Sequence, residues 1–225
     1  MSMNLVKSLE YFNPNDLGVS TCHIVGCGSV GGNIAVALAR LGITRITLWD
    51  FDEVESKNIA NQVFRSQDVG RTKVSALAEI LSEINPDIGE HLKLKPEGWS
   101  GESLSGYVFM APDSIDVRRQ IVEKNRYNTM KAVFDFRTRL EDAQSFAADW
   151  SDPAQIDNLL ATMDFTHEEA AESTPVSACG TVLGVGSIPR MIADVGVNNF
   201  LNFVRKGILK KVIILNGFDF GLDAF

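Results

Sequence analysis

Apolar runs and helix-periodic segments alternate along the first half of the chain. The run from Thr21 to Gly26 predicts a short strand, and the segment from Ser29 to Leu41 predicts a helix because its apolar residues recur at helical spacing. Gly42 is typical of the residue that follows a helix end, and Arg45 to Asp50 predicts a second strand. This order is a βαβ unit, which favours a parallel sheet flanked by helices.

The same pattern continues toward the C-terminus. A helix is predicted to open near Gly70, and a third strand covers Tyr107 to Met110. The later predicted elements are a strand at 131–136, a strand at 142–149, a helix from Asp152 to Met163, a polar and acidic loop at about 164–178, a helix from Thr181 to Arg205 and a last strand at 210–217. We expect the strands at 131–136 and 142–149 to form an edge hairpin. The phenylalanines of the tail FDFGLDAF are expected to dock on the body of the molecule or on a partner subunit.

Together these elements predict an α/β fold, with a Rossmann-like, mostly parallel sheet flanked by helices and a C-terminal antiparallel extension. The length of 225 residues, with 45% hydrophobic and 22% charged residues, is ordinary for a single soluble domain. We therefore expect residues 1–225 to form one domain, with an N-terminal arm at 1–20 and two halves at 21–130 and 131–225.

Charge and cysteine usage exclude several classes of protein. The formal net charge of −8 argues against a nucleic-acid-binding surface, which needs a basic face. No apolar stretch approaches the ~20 residues of a membrane span, and residues 1–16 lack the apolar core of a signal peptide. The three cysteines form no CxxC pair. These features predict a cytoplasmic protein with reduced thiols and no structural zinc.

The clearest chemical signal is the segment CHIVGCGSVGG at 22–32, which has the spacing G-x-G-x-x-G. Gly26 and Gly28 allow a tight turn and a close approach of the backbone to phosphate, and Gly31 allows the helix to pack on the strand. The free N–H groups at the helix start attract phosphate oxygens. Asp50, at the end of the second strand, is placed to bind ribose hydroxyls. We therefore interpret 21–130 as a nucleotide-binding half.

The glycine motif fits a nicotinamide protein and an ATP-binding protein equally well, but the next segment favours ATP. A nicotinamide protein needs one acid after the second strand, whereas here Asp50 and Asp52 form a D-x-D pair followed by an Asn/Gln cluster. Lys73 lies in the first turn of the following helix, where a cation is unfavourable against the helix dipole unless an anion lies nearby.

These motifs together resemble the ThiF/MoeB/HesA adenylyltransferases, which are relatives of the ubiquitin-activating enzymes. In that family G-x-G-x-x-G is followed by D-x-D-x-V, then S-N-x-x-R-Q, then D-x-G-x-x-K. The chain has GCGSVG at 26–31, DFDEV at 50–54, NIANQ at 58–62 and DVGRTK at 68–73. Ala111-Pro112-Asp113 resembles the family's strand-end T-D-N, with Ser114 in place of the asparagine.

The resemblance implies the roles of individual side chains. The nucleotide would be bound by the glycines together with Asp50, Asp52, Asn58, Asn61, Gln62, Lys73 and Asp113. Asp113 would hold the magnesium of MgATP, and Lys73 would contact phosphate or ribose. The reaction it implies is attack on the α-phosphate of ATP by the C-terminal carboxylate of a small ubiquitin-like, β-grasp carrier protein ending in glycine. Pyrophosphate leaves, and cations with backbone donors carry the catalysis.

The chain departs from the family in two cationic positions. Asn61 occupies the position of the arginine in S-N-x-x-R-Q, and residues 1–20 lack the arginine that the family sends into a partner subunit's site. Arg65 and Arg71 are the candidates to supply a missing catalytic charge. Arg118 and Arg119 are expected to be surface arginines.

The second half, 131–225, is interpreted through the resemblance as the carrier-binding and dimer-forming half, with 164–178 as its crossover loop. Cys179 follows this loop and has two interpretations: a catalytic thiol that binds the activated carrier covalently, or a small buried residue at a helix start. His23 and His91 are expected to be structural, and the three histidines share no metal-like spacing.

Three functional hypotheses follow. The leading one is an adenylyltransferase, expected to be a homodimer. The second is a nucleotide-binding, catalytically weak subunit of a heterodimeric activating enzyme, which the two missing arginines support. The third, a nicotinamide oxidoreductase, leaves Asn58, Gln62, Lys73 and Asp113 unexplained.

Overall fold

The computed structural model describes residues 2–166, 169, 184 and 186–225. Eight strands make up the sheet: β1 (Cys22–Val25), β2 (Ile46–Trp49), β3 (Lys93–Lys95), β4 (Gly106–Met110), β5 (Met130–Thr138), β6 (Asp142–Asp149), β7 (Val212–Asn216) and β8 (Gly221–Ala224). The helices of the described residues are α1 (Ser29–Arg40), α2 (Lys73–Ile84), α3 (Ile115–Asn125), α4 (Pro153–Ala161) and α5 (Ser187–Lys206).

The strands lie in the order β3-β2-β1-β4-β5-β6-β7-β8. The first five of these are parallel, with Ile24 of β1 level with Leu48 of β2 and Phe109 of β4. The last three strands are joined by antiparallel pairings. The predicted Rossmann-like sheet with a C-terminal antiparallel extension is therefore confirmed.

Helices cover both faces of the sheet. The face covered by α1, α2 and α5 buries Ile34, Leu77 and Phe200 among its core residues, and the face covered by α3 and α4 buries Val122 and Leu159. Among the described residues, every helix is too short or too polar to serve as a membrane span.

The strand order creates a switch point between β1 and β4. From β1 the chain moves outward to β2 and β3, and it then returns to the other side of β1 as β4. At such a point the loops after neighbouring parallel strands diverge, which opens a crevice outside their carboxyl ends. The glycine turn after β1 and the segment Ala111-Pro112-Asp113 after β4 border this crevice.

Two expectations about the second half are corrected. The strands β5 and β6 do pair as an antiparallel hairpin, but they lie inside the sheet because β7 pairs with β6. The strand predicted at 210–217 is not the last strand, because the tail after it forms β8, which pairs with β7 at the edge of the sheet. The Asn216 side chain starts this turn by accepting bonds from the N–H groups of Phe218 and Asp219. The tail thus docks through its backbone, and Phe220 leaves 87% of its surface exposed.

Candidate functional site

The glycine turn between β1 and α1 is built by three glycines with different surroundings. A Cβ on Gly31 would lie 1.8 Å from the carbonyl oxygen of Gly26, so its absence lets α1 pack against the turn. Gly26 has φ +88°, and a Cβ there would lie 2.5 Å from the carbonyl oxygen of Ala111, just beyond β4. Around Gly28, by contrast, no atom of the described chain other than those of Gly28 and its two chain neighbours lies within 4 Å of the Cβ position. The turn therefore presents bare backbone to the crevice at Gly28.

The N-terminus of α1 has no side-chain cap. Gly28 is its N-cap residue, and no side chain accepts a hydrogen bond from the first turn of the helix within the described residues. The N–H groups of that turn carry the positive end of the helix dipole. An uncapped helix start bordered by open space is suited to bind an anion such as phosphate.

Asp50 directly follows β2 and is buried, and its carboxylate accepts hydrogen bonds from the two loops beside it. Its Oδ2 accepts a hydrogen bond from the Cys27 N–H at 2.6 Å, and its Oδ1 accepts one from the Asp52 N–H at 2.8 Å. Burial raises the pKa of this carboxyl, against the opposing charge of Lys73 and the two backbone bonds. Asp50 thus holds the glycine turn and the start of the D-x-D segment together.

Lys73 and Asp52 form an ion pair across 21 positions of sequence. The Lys73 Nζ lies 2.7 Å from the Asp52 Oδ2, and the Lys73 N–H donates to the Asp52 carbonyl oxygen at 2.9 Å. Lys73 is 8% exposed. Burial alone would lower its pKa, but the hydrogen bond to Asp52 and the charges of Asp50, Asp52 and Asp113 raise it above its usual value. The structure therefore gathers these predicted side chains at one edge of the sheet.

The Asn/Gln cluster follows the D-x-D segment in a short 3-10 turn. The Asn58 Oδ1 accepts a hydrogen bond from the Glu55 N–H at 2.8 Å, which fixes the start of this turn. The Oδ1 of Asn61 and the Oε1 of Gln62 are buried and have no hydrogen-bond partner within the described part of the chain. Gly186, next to the start of α5, lies against Asn61, and a Cβ on it would be 3.4 Å from the Asn61 Cα.

Asp113 is exposed and directly precedes α3. The residue after it, Ser114, departs from the family's T-D-N. The Ser114 Oγ accepts a hydrogen bond from the Val117 N–H at 3.3 Å and caps α3. Serine therefore provides a helix cap here and leaves the Asp113 carboxylate outside the helix.

Arg65 and Arg71, the candidates for the missing catalytic charge, lie in a cluster of ion pairs. Arg65 pairs with Asp68 at 3.1 Å, with Glu79 at 2.8 Å and with Glu83 at 2.9 Å. Arg71 pairs with Asp68 at 3.0 Å and Glu79 at 2.7 Å. The two guanidiniums are therefore held by Asp68 and by two carboxylates of α2, Glu79 and Glu83, and the role of either arginine toward a phosphate stays a prediction.

Arg118 corrects the expectation of a surface arginine, since its side chain is 8% exposed. It donates to the carboxylate of Asp135, a wholly buried residue of β5, and to backbone carbonyls beside Asp113. Arg137 donates to the same carboxylate at 2.8 Å, and burial lowers its pKa against the charge of Asp135. Asp135 and Arg137 are not among the predicted site residues. The signal was an acid between two phenylalanines in a buried strand, which indicates a charged partner.

Several predicted features lie outside the described residues. These are Cys179, the start of the helix predicted from Thr181 and most of the loop at 164–178. Among the described residues no group of three or more His, Cys, Asp or Glu side chains is arranged to hold a metal ion. Cys22 and Cys27 are free and buried.

The sheet, its switch point and the glycine turn define a Rossmann-like domain of the kind that binds nucleotides. A model of the ThiF family matches residues 6–136, more than half of the chain. The chain belongs to the ThiF family, and the resemblance seen in the motifs is confirmed.

Individual relatives match over shorter segments. The ubiquitin-like modifier-activating enzyme 5 of Arabidopsis thaliana is 48% identical over 65 residues, which are 29% of this chain and 15% of that protein. The enzyme of the same name from Drosophila persimilis is 40% identical over 86 residues, 38% of this chain and 21% of that protein. The chain thus matches about a fifth or less of the length of these curated relatives.

Solved structures match the fold over nearly the whole chain. The crystal structure of E. coli MccB with ATP has a TM-score of 0.69 and 18% identity, and covers 94% of this chain and 65% of the MccB chain. PaaA gives the same TM-score, identity and coverage. At this identity the likeness shows a common fold.

Proposed function

We propose that the protein catalyses the ATP-dependent adenylylation of the C-terminal carboxylate of a small ubiquitin-like carrier protein, with release of pyrophosphate. The observation that carries this proposal is the meeting, at the carboxyl edge of the sheet, of an uncapped helix start, the Lys73–Asp52 pair and the Asp113 carboxylate. Two further findings support it: the curated relatives are ubiquitin-like modifier-activating enzymes, and MccB of the same fold was crystallised with ATP.

The residues at this edge fit MgATP as a substrate. The open space at Gly28 leaves room for phosphate against bare backbone, and the N–H groups of α1 have no competing side-chain acceptor among the described residues. The buried amide oxygens of Asn61 and Gln62 have no hydrogen-bond donor in that part of the chain. Asp113, exposed at the crevice, would hold the magnesium ion, which neutralises phosphate charge.

In the proposed reaction a carboxylate oxygen of the carrier attacks the α-phosphorus. The bond from this phosphorus to the bridging oxygen breaks, and pyrophosphate leaves with its electron pair, so that an acyl-adenylate remains. Lys73 and the helix N–H groups stabilise the charge on the phosphates. Arg65 or Arg71 would supply the cation that is missing at position 61, where the family has an arginine.

We further propose that 131–225 binds the carrier and that the protein acts as a homodimer in the reducing cytoplasm. Cys179 either binds the activated carrier covalently or is a small buried residue at a helix start.

The test is ATP–pyrophosphate exchange with purified protein and candidate β-grasp carriers. We expect exchange that requires a carrier and falls by about a hundredfold or more in Asp113→Ala, because the metal ligand is lost. Asp116→Ala is the matched control, since Asp116 lies one helical turn away and pairs with Arg119 on the surface. Equal loss in both variants, or exchange that survives Asp113→Ala, would overturn the assignment.

A second candidate function is a nucleotide-binding, catalytically weak subunit of a heterodimeric activating enzyme. The observation that favours it is that Arg65 and Arg71 are already bound by three carboxylates, while Asn61 stands at the family's arginine position. ATP binding without exchange, restored by adding a second ThiF-type subunit, would support this candidate. If instead Arg65→Gln or Arg71→Gln abolishes exchange in a folded protein, the enzyme needs no second subunit for this charge.

A further inference from the structure

One buried carboxylate lies between two guanidiniums at the carboxyl end of the sheet. Asp135 is wholly buried in β5 and is level with Met110, the last residue of β4. Its Oδ1 accepts from Arg118 and its Oδ2 accepts from Arg137. The side chains of these arginines are 8% and 18% exposed. Burying three charges requires that each be well paired, and apolar residues would hold the sheet at a lower desolvation cost. The arrangement therefore calls for a role beyond packing.

The Arg118 side of this cluster holds the segment that carries Asp113. Besides Asp135, Arg118 donates to the carbonyl oxygen of Met110 at 3.4 Å and to that of Pro112. Arg118 thus joins the end of β4 to the first turn of α3, on either side of Asp113. The direction in which the Asp113 carboxylate leaves the backbone depends on these bonds, and Asp135 fixes the guanidinium that makes them.

The Arg137 side holds the end of α4. Its Nη1 donates to the carbonyl oxygen of Thr162 at 2.7 Å, and its Nη2 donates to the Thr162 Oγ1 at 2.8 Å. The guanidinium lies over the rings of Phe146, at 4.4 Å, and Phe165, at 5.6 Å. The chain leaves α4 at this point on its way toward α5. Arg137 therefore fastens the beginning of that connection to the same carboxylate.

We propose that Asp135 is a positioning residue that sets the Asp113 carboxylate through Arg118 and couples it, through Arg137, to the chain segment 162–165. The proposal rests on the proposed function in one respect, namely that Asp113 binds the magnesium of MgATP. The coupling is carried by a contiguous set of charge-assisted hydrogen bonds. Arg119 makes a separate connection, from the Met163 and Phe165 carbonyls to Asp116 of α3, and the proposal predicts that a change at Thr162 reaches Asp113 through Asp135 and not through Arg119. Substitutions on the two sides of Asp135 are thus non-additive.

The test compares Asp135→Asn with wild type in binding of a fluorescent ATP analogue at increasing Mg²⁺. Asparagine keeps the size of the side chain and removes its charge. We expect binding without Mg²⁺ to stay within twofold, while the Mg²⁺ concentration for half-maximal stimulation rises about tenfold. High Mg²⁺ restores binding in Asp135→Asn but not in Asp113→Ala. An unchanged Mg²⁺ requirement in folded Asp135→Asn would overturn the proposal.

A matched pair of variants decides the issue even if Asp135→Asn fails to fold. Arg137→Gln breaks the link from Asp135 to Thr162, whereas Arg119→Gln loosens the same segment at the Met163 and Phe165 carbonyls without touching Asp135. We expect Arg137→Gln alone to raise the Mg²⁺ requirement. Equal effects of the two substitutions would mean that the segment acts without Asp135, and the proposal would fail.

Hydrogen exchange separates this proposal from the proposed function. Peptides that cover 110–114 and 162–165 are expected to lose protection together in Arg137→Gln, and the first of them to stay protected in Arg119→Gln. This result needs no bound nucleotide. If the wild-type protein binds no ATP but the two variants show this exchange pattern, the proposed function is overturned and the coupling is kept. If Arg137→Gln loses protection only at 162–165, the coupling is overturned.

Discussion

The Nζ of Lys73 lies 2.7 Å from the Asp52 carboxylate, and the two residues are also joined by a backbone hydrogen bond. The pair unites two motifs that are separate in sequence, D-x-D after β2 and D-x-G-x-x-K before α2. A lysine at the first position of a helix is unfavourable against the helix dipole. Here Asp52 compensates part of that cost in the protein itself. The side chain of Asp52 is nevertheless 47% exposed, so its carboxylate remains open to solvent.

Replacing Lys73 by Met is expected to lower carrier-dependent pyrophosphate exchange by about a hundredfold, because one cation near the phosphates is removed. The unfolding temperature should also fall, because the buried Asp50 carboxylate loses the charge that opposes its burial, whereas Asp52 stays hydrated. Lys57→Met is the control, because Lys57 is a solvent-exposed cation that pairs with Glu55 in the neighbouring turn. Exchange that falls equally in both variants would show that the effect is not specific to the crevice.

The βαβ unit and the site around it could be predicted because their signals are local. Periodicity gives α1, and the glycine spacing gives the turn after β1. That Asp50, Lys73 and Asp113 approach one another also follows, because the carboxyl ends of parallel strands share one edge. Most residues of the candidate site can therefore be located once the motifs are placed on strand ends and helix starts.

The parts that could not be predicted depend on contacts between distant segments. The residues of β8, Gly-Leu-Asp-Ala, are all exposed, so the sequence of this strand carries no period-2 burial signal, and it is held by pairing with β7. Arg118 lies among polar neighbours on α3 and reads as a surface residue. It is buried because Asp135, 17 positions further on, lies beneath it. An acid in an apolar strand indicates that a partner exists but does not identify the partner.

Gly31 and Gly28 are expected to have different roles: Gly31 is needed for folding, and Gly28 is needed for nucleotide binding. Gly31→Ala places a Cβ 1.8 Å from the Gly26 carbonyl oxygen, and we expect it to lower the free energy of unfolding by about 3 kcal/mol or more. Gly28→Ala meets open space at φ −79° and should change stability by less than ~1 kcal/mol.

The substitution at Gly28, which should change stability little, is expected to weaken ATP binding. Gly28→Ala should weaken the binding of an ATP analogue about tenfold or more, because its methyl group would stand where backbone N–H groups meet phosphate. Chemical denaturation and analogue titration of the two variants check both statements. If Gly28→Ala binds the analogue as tightly as wild type does, the phosphates do not lie at this turn.

His23 makes stability depend on pH. This residue of β1 is 8% exposed, and its Nδ1 accepts a hydrogen bond from the Trp49 indole N–H at 3.2 Å. Its Nε2 is buried and has no partner among the described residues. Burial lowers the pKa of His23 to about 4 from its usual 6.5; the backbone at Ser105 acts against this shift and the charge of Lys93 adds to it. The folded protein therefore holds this imidazole neutral well below the pH at which the unfolded chain protonates it.

The sign of the effect follows from proton binding. Between about pH 6.5 and pH 4 the unfolded chain carries a proton on His23 that the folded chain does not, so the free energy of unfolding falls as the pH falls through this window. The full difference is about 3 kcal/mol at pH 4, and His23 contributes no pH dependence above about pH 7. Asp50, whose pKa is raised, acts in the opposite direction. The contribution of His23 must therefore be obtained as a difference between wild type and a His23 variant.

Urea unfolding of wild type and His23→Asn from pH 4 to pH 8 isolates this contribution. Asparagine can accept the Trp49 hydrogen bond but does not titrate, so we expect the free energy of unfolding of His23→Asn to fall less between pH 6.5 and pH 4 than that of wild type. The difference between the two curves should grow to about 3 kcal/mol and vanish as a pH-dependent term above pH 7. His91→Asn, at an exposed position, should follow the wild-type curve. Parallel curves for wild type and His23→Asn would mean that His23 takes up its proton at the same pH in the folded and unfolded protein, with loss of the Trp49 hydrogen bond that Nδ1 accepts.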